Sequence, residues 1–308
     1  MFKILLTAFL AAVISSSCFG QLFPNIVSNP SFEDQVSGGG EDKFNGTHVL
    51  PWRSCGGTPD LFSGVFAPTD FQVPSNIYGT QEAFDGVSYA GLNLLIAERD
   101  YLGIALDSTM LKDTVYCLDI IHSMSDESQI GTTDSVLQAY FMETWHGGTL
   151  PNPIYGDDVI PLAFVIDRIF WKRSIKTFTL PHDADFMALG NFKTDSDILW
   201  TILYPFLTFQ HLYVYIDFIQ LYKRPPGLPC GVPVGIVTGE VTKPISFRPN
   251  PANDLIIVDE DFVVLNYEGD IVLQGEKGIA ADVTGLSAGM YFITNLMGTT
   301  VSKLIISD

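Results

Sequence analysis

The chain has 308 residues, with 35 Asp and Glu against 16 Lys and Arg and a formal net charge of −19. That charge argues against a nucleic-acid partner, whose phosphates it would repel. A hydrophobic fraction of 47%, including 12% aromatics, excludes a disordered chain, and the length holds one large or two modest folding units.

The first twenty residues have the plan of a secretory signal. Lys3 is the basic start, residues 5–14 are the apolar run, and Ser15-Ser16-Ser17-Cys18-Phe19-Gly20 is the small-residue exit. Cleavage after Gly20 leaves Gln21 first. Cys18 offers a lipoprotein alternative, opposed by Ser15 where a lipid-attachment motif carries Leu. From residue 22 the chain reads PNIVSNPSFED, then a glycine-rich polar loop at 37–46 that must be exposed.

Strand-like runs follow at 88–95, 115–122, 135–143, 160–164, 175–180, 186–189 and 212–222. A weak helical period shows only around 99–111. The run 198–222 exceeds the length of a membrane span, but Pro205, Gln210, His211 and Asp217 interrupt it. Its aromatic and β-branched residues favour two buried strands with a bend near Pro205. Eight or more strands with long connections predict an all-β jelly-roll or similar sandwich over residues 21–222. Residues 223–243, rich in Pro and Gly, predict a linker.

Beyond the linker, short runs at 255–258, 262–266, 271–274, 290–295 and 301–306 alternate with Gly-bearing turns. They predict a small all-β sandwich over 244–308. Without Cys18, three cysteines remain, enough for one disulfide. Cys117 stands in an apolar run and reads as a core residue, which leaves Cys55 with Cys230 as the favoured pair.

The order PNPAxD, YExGDxV, VxxLxxGxYFI and KLIIS closely resembles the C-terminal sorting domain of the type IX secretion system of Bacteroidetes. Pro249, Asn250, Pro251, Gly269, Gly289, Tyr291 and Lys303 carry the match. The resemblance implies an immunoglobulin-like sandwich, type IX machinery as partner, and a secreted or outer-membrane-surface location. The series SNPSFED, PW, TPDLF, VPSNIYGTQEAFDG, YAGL, ERDYL, LGNF and YVYIDFIQL resembles the N-terminal jelly-roll module of Bacteroidetes surface proteins. That module is similar in turn to galactose-binding-like folds of carbohydrate-binding modules. Many such sandwiches share a calcium ion between a first-strand Glu and a last-strand Asp, and Glu33 and Asp217 stand at the matching places. The competing reading pairs Asp217 with Arg99 or another cation, because a lone buried carboxylate is costly.

Sugars stack on aromatic rings and hydrogen-bond to nearby polar groups. Trp52, Tyr78, Arg99, Trp145 and Tyr155 are the candidate ligand contacts. The alternative places Trp52, with Tyr89 and Tyr101, in the core, where large aromatics usually go. Three Asp-Ser/Thr-x triplets, at 107, 113 and 134, match the acceptor pattern of the Bacteroidetes O-glycosylation system. No HExxH or phosphate-binding loop is present, and the five His have no i,i+4 pairing. The reading is a secreted or surface-anchored, non-catalytic protein that binds a glycan or cell-surface ligand. A polysaccharide-active hydrolase and a structural envelope protein are its alternatives.

Overall fold

The computed structural model describes residues 24–41, 43–65, 67–95, 99–145, 159–165, 168, 170–203, 212–224, 230–231, 245–266, 270–296 and 300–307. The signal-like segment, Cys18, Tyr155 and Gly269 lie outside them.

Thirteen strands precede residue 224: β1 (Arg53–Gly56), β2 (Asp60–Ser63), β3 (Ser75–Asn76), β4 (Gly79–Thr80), β5 (Ser88–Asn93), β6 (Tyr101–Met110), β7 (Tyr116–Met124), β8 (Ile130–Met142), β9 (Val159–Val165), β10 (Lys172–Phe178), β11 (Ala184–Gly190), β12 (Trp200–Ile202) and β13 (Tyr213–Lys223). Seven follow it: β14 (Phe247–Arg248), β15 (Leu255–Val258), β16 (Phe262–Leu265), β17 (Ile271–Gly275), β18 (Ala280–Asp282), β19 (Gly289–Asn295) and β20 (Val301–Ile306). The described helical structure is confined to two three-residue 3-10 turns, Thr69–Phe71 and Asp195–Asp197. No described helix is long and apolar enough to cross a membrane.

Two antiparallel sheets make the larger unit. One runs β10-β7-β13-β5-β2, the other β1-β6-β11-β8-β12, with β9 also on β8. Period-two alternation sets what lies between them. Leu118 and Ile120 of β7, Val214 and Ile216 of β13, Leu102 and Ile104 of β6, and Leu137, Ala139 and Phe141 of β8 share one buried core. The helical period expected around 99–111 is corrected: residues 101–110 form β6, a central strand. Leu102 and Ile104 enter the core while Tyr101 is buried in a separate cluster. Apolar residues thus occupy both faces of β6, and the two-residue alternation is lost.

Residues after 245 build a second core of their own, from Ile256, Phe262, Val264, Ile293 and Leu304. It lies with sheets β14-β15-β18 and β17-β16-β19-β20. All four residues of β16 are buried. Phe262 and Val264 face this core, while Val263 and Leu265 pack with Cys117, Ile175, Tyr222 and Cys230 of the larger unit. A strand buried on both faces has no polar alternation to show.

The expected Cys55–Cys230 pairing is overturned. Cys117 and Cys230 form the disulfide, with Cα atoms 5.6 Å apart, and Cys55 is free and buried. Cys117 is a buried core residue, as expected, but in the cluster across β7 from Leu118, where Cys230 meets it. The linker is corrected in part by the same bond. Gly231 N–H donates to Tyr222 Oη at 2.7 Å and its carbonyl accepts from Arg173 Nη2 at 3.3 Å, so this point is fixed to the larger unit.

Candidate functional site

The two sheets treat their outer faces differently. On the five-stranded sheet, Phe62, Tyr89, Tyr213 and Tyr215 are buried with Phe71, Tyr78 and Phe84 of the 64–87 segment. Tyr78 stacks on Tyr213 at 3.8 Å between ring centroids. Asn76 links Tyr89 and Tyr215, donating to the first at 3.0 Å and accepting from the second at 2.9 Å. Tyr213 donates to Asp60 at 2.6 Å, and burial pushes Asp60 up to about 7 against that hydrogen bond. This face is filled by its own chain.

The outer face of the six-stranded sheet carries a smaller cluster. Strand register places Arg53, Gly103, Ala188, Tyr140 and Val159 in one row across it. Small residues in the middle seat rings against the backbone. A Cβ on Gly103 would stand 2.7 Å from the Trp145 ring, and one on Gly190 2.5 Å from Tyr101. Trp145 then meets Phe186 at 5.6 Å, and Phe192 meets Tyr101 at 5.1 Å and Tyr140 at 5.7 Å. Trp145, Tyr140 and Phe186 are half exposed.

Beside this ledge runs a groove of about 590 Å³, lined by Asp134, Gln138, Phe192, Lys193, Thr194 and Asp197 among others. The turn that carries Phe192 and Lys193 is held from three sides. Arg99 Nη1 donates to the carbonyls of Asn191 at 3.0 Å and Lys193 at 2.5 Å. Tyr101 Oη donates to Asn191 O at 3.0 Å, and Gln138 Oε1 accepts from Phe192 N–H at 2.9 Å. Aromatic faces with convergent amide, carboxylate and ammonium groups suit a polyhydroxylated ligand.

Of the five expected ligand contacts, Trp145 stands on this face. Trp52 does not: it is fully buried, tilted against Phe32 at 5.1 Å, with Nε1 donating to Asn29 O at 2.8 Å. Its ring belongs to the core, as its alternative reading held. Tyr78 lies on the opposite sheet, and Arg99 is buried, bracing the groove from behind rather than facing a ligand. Tyr155 lies outside the described residues. Tyr140, Phe186, Phe192 and Gln138 escaped the sequence reading. For Gln138 and Tyr140 the signal was parity: with Met142 they alternate with the core residues Leu137, Ala139 and Phe141.

Glu33 and Asp217 converge on one loop. Glu33 Oε1 accepts from Val87 and Ser88 N–H at 2.9 and 2.8 Å. Asp217 Oδ2 accepts from Phe84 and Asp85 N–H at 2.9 and 3.0 Å, and its Oδ1 from Phe218 N–H at 2.7 Å. A bulge in β13 and a left-handed Phe218 (φ 48°) turn Asp217 toward that loop. Gly86 (φ 68°) packs so closely that a Cβ would lie 2.4 Å from the Glu33 carboxylate. Burial pushes Asp217 up to about 8, and Glu33 is also raised by burial. Asp85 repels both charges and accepts from Ser31 Oγ at 2.7 Å. The pairing of Asp217 with Arg99 does not occur, since Arg99 holds the 191–193 turn. No three His, Cys, Asp or Glu side chains among the described residues converge as a metal cage. These two carboxylates supply only part of a calcium shell, which backbone carbonyls would have to complete.

In the C-terminal unit, Asn250 does what a strand neighbour would. Its Nδ2 donates to Lys303 O and its Oδ1 accepts from Ile305 N–H, both at 2.9 Å. Pro249 and Pro251 flank it, each after a cis peptide bond. Tyr291 Oη donates to Ser287 O at 2.9 Å, Gly289 opens β19, and Lys303 is exposed on β20. Of the acceptor-like triplets, Ser108 is exposed on β6, while Thr114 and Ser135 are half exposed.

No protein-family model matches the chain, and no curated protein matches it. Solved structures align with it at low similarity. The TmCBM61 module, in complex with β-1,4-galactotriose, is 13% identical with a TM-score of 0.32, over 65% of this chain and 99% of the module. The CBM22-1 xylan-binding domain of Paenibacillus barcinonensis Xyn10C is 8% identical at 0.34, over 65% and 95%. The Clostridium thermocellum xylanase 10B CBM22-1–GH10 structure with xylohexaose is 11% identical at 0.35, over 68% and 30%.

Proposed function

We propose that this chain is a secreted or surface-anchored, non-catalytic glycan-binding protein whose ligand lies on the outer face of the six-stranded sheet. One observation carries the reading: Trp145, Tyr140 and Phe186 stand half exposed on that face beside the polar groove. Rings of this kind hold the apolar faces of sugars, and Gln138, Lys193 and Asp197 supply polar partners. A glycan array with the purified protein tests it. Binding without release of product supports the reading if Tyr140→Ala and Trp145→Ala abolish it. Product release would move the chain to the hydrolases, and silence on every glycan would leave a structural protein.

In this reading residues 244–308 are the sorting domain of type IX export and 1–20 the signal peptide. The support is the spaced PNPAxD to KLIIS pattern, now joined by the Asn250 bridge to β20. Fusing residues 244–308 behind a signal peptide and a reporter, in a host with type IX machinery, tests it; a reporter retained in the periplasm refutes it. We also propose a structural calcium ion between Glu33 and Asp217, tied to the 84–88 loop. Thermal melts with calcium and with chelator check this, and coincident melts count against it.

A further inference from the structure

The Cys117–Cys230 disulfide lies in the contact between the two units. Ile175 and Tyr222 of the larger unit share its cluster, and Val263 and Leu265 of β16 close that cluster from the C-terminal unit. Ile271 and Phe292, also from the C-terminal unit, pack at its border. Cys117 and Cys230 are both 0% exposed. The bond is sealed, and part of its cover is a unit with a hydrophobic core of its own.

Thiol–disulfide exchange needs a thiolate to reach one of the two sulfurs. Burial forbids this unless the structure opens. One opening unfolds the larger unit and breaks its whole core. The other separates the C-terminal unit and gives up the shared cluster, while both inner cores stay closed. Proteins open in cooperative pieces, and the piece with fewest contacts to lose opens most often. Cys230 does not leave with the C-terminal unit. The next residue, Gly231, donates its N–H to Tyr222 Oη at 2.7 Å, and Thr177 Oγ1 donates to Cys230 Sγ at 3.0 Å. Separation therefore bares the bond on the surface of the larger unit.

We propose that Cys117–Cys230 is a thiol-exchange site to which the docked C-terminal unit controls access, with small thiols as the reactant. In the first step a thiolate sulfur bonds to one cysteine sulfur and the S–S bond breaks. The other cysteine leaves with the electron pair and takes a proton from water. A second thiolate displaces the protein from the mixed disulfide, so two small thiols are oxidised and one protein disulfide is reduced. The reverse reaction, with a small disulfide as oxidant, sets an order of assembly: the bond closes first, and the C-terminal unit then docks and protects it. The site does not depend on the aromatic ledge or on the route of export.

Reduction of the folded protein without Cys18 tests this, with excess dithiothreitol, whose two thiols serve both steps. Samples are quenched, denatured and alkylated, and mass counts the alkyl groups: Cys55 alone while the bond is closed, Cys55 with Cys117 and Cys230 once it is open. Variants that keep the far-UV circular dichroism of the parent are compared. Val263→Asp, which charges the contact, is expected to be reduced at least about tenfold faster than the parent, with Val263→Ala between the two. Trp52→Ala weakens the core of the larger unit away from the contact and is expected to stay within about twofold of the parent. Reduction of the parent as fast as Val263→Asp overturns the proposal. So does a gain for Trp52→Ala equal to that for Val263→Asp, which would assign exchange to unfolding of the larger unit.

Discussion

Asp217 and Glu33 grip one loop from two sides, Asp217 through the N–H groups of Phe84 and Asp85, Glu33 through those of Val87 and Ser88. The loop ends the 64–87 segment that covers the aromatic face of the five-stranded sheet. A buried group that loses its partner costs about 1–3 kcal/mol. Asp217→Ala strands the Phe84 and Asp85 N–H groups and is expected to destabilise by that amount or more. Urea denaturation followed by tyrosine fluorescence checks this, and a midpoint within error of the parent would refute the anchoring role.

The same carboxyl gives stability a pH dependence. Burial pushes Asp217 up to about 8 and Asp60 up to about 7, from ordinary values of 3.8. The folded chain then holds protons that the unfolded chain has already released. This contribution is full below about pH 4 and is lost as pH rises through about 7 and 8, on the order of a few kcal/mol. Asp217→Asn is expected to flatten the upper part of the slope, and calcium bound at Asp217 to flatten it similarly by favouring the carboxylate. Tm recorded from about pH 4 to about pH 9 on parent and variant, each with calcium and with chelator, measures both.

Much of the architecture was legible in sequence. The C-terminal strands at 255–258 and 301–306 bury alternate residues, which a two-residue period reports. β7 and β13 are buried on both faces and were legible instead as continuous apolar and aromatic runs. β6 was not legible, because Tyr101 is buried on the side away from Leu102 and Ile104. The disulfide failed for a related reason. An apolar run shows that Cys117 is buried, but not on which side of its sheet, and Cys230 meets it on the outer side. Among site residues, the convergence of Glu33 and Asp217 came only through a family resemblance. Alternation along β8 shows which side Tyr140 takes, but its meeting with Phe192 depends on the turn after β11, which no local pattern encodes.

Trp52 and Tyr140 separate core from ligand face. Trp52 is fully buried, so Trp52→Ala is expected to cost about 3–5 kcal/mol. Tyr140 is half exposed, and Tyr140→Ala is expected to cost about 1 kcal/mol. Glycan affinity is expected to behave in the opposite way, falling at least about tenfold for Tyr140→Ala. Paired denaturation and binding measurements check the crossover; equal losses of affinity at equal stability would remove the ledge as the ligand face.

The Cys117–Cys230 disulfide closes a loop of sequence separation 113, and its loss is expected to destabilise by about 3–5 kcal/mol. Cys55 cannot take over. It is buried, and burial pushes its thiol up to about 12, far from the reactive thiolate. Thiol titration of the protein without Cys18 is expected to find no reactive group while folded and one after denaturation. More than one after denaturation would show that the disulfide does not form.

Val263 and Val264 are neighbours on β16 that serve different partners: Val263 faces the larger unit, while Val264 faces the C-terminal core. Val264→Asp is expected to unfold the C-terminal unit, because it buries an unpaired carboxylate between its two sheets. Val263→Asp charges the surface that meets Ile175, Tyr222 and the disulfide, and leaves the inner core of Phe262, Val264 and Ile293 intact. It is expected to free the two units from one another with both still folded, which enlarges the radius of gyration in small-angle scattering while the far-UV circular dichroism holds. The contact also bears on removal of the C-terminal unit. Deletion from residue 244 bares Ile175, Tyr222 and the disulfide to water, and is expected to lower the melting temperature of the remaining unit and promote its association. An unchanged melting temperature and a strictly monomeric fragment would show that the C-terminal unit adds nothing to the stability of the rest.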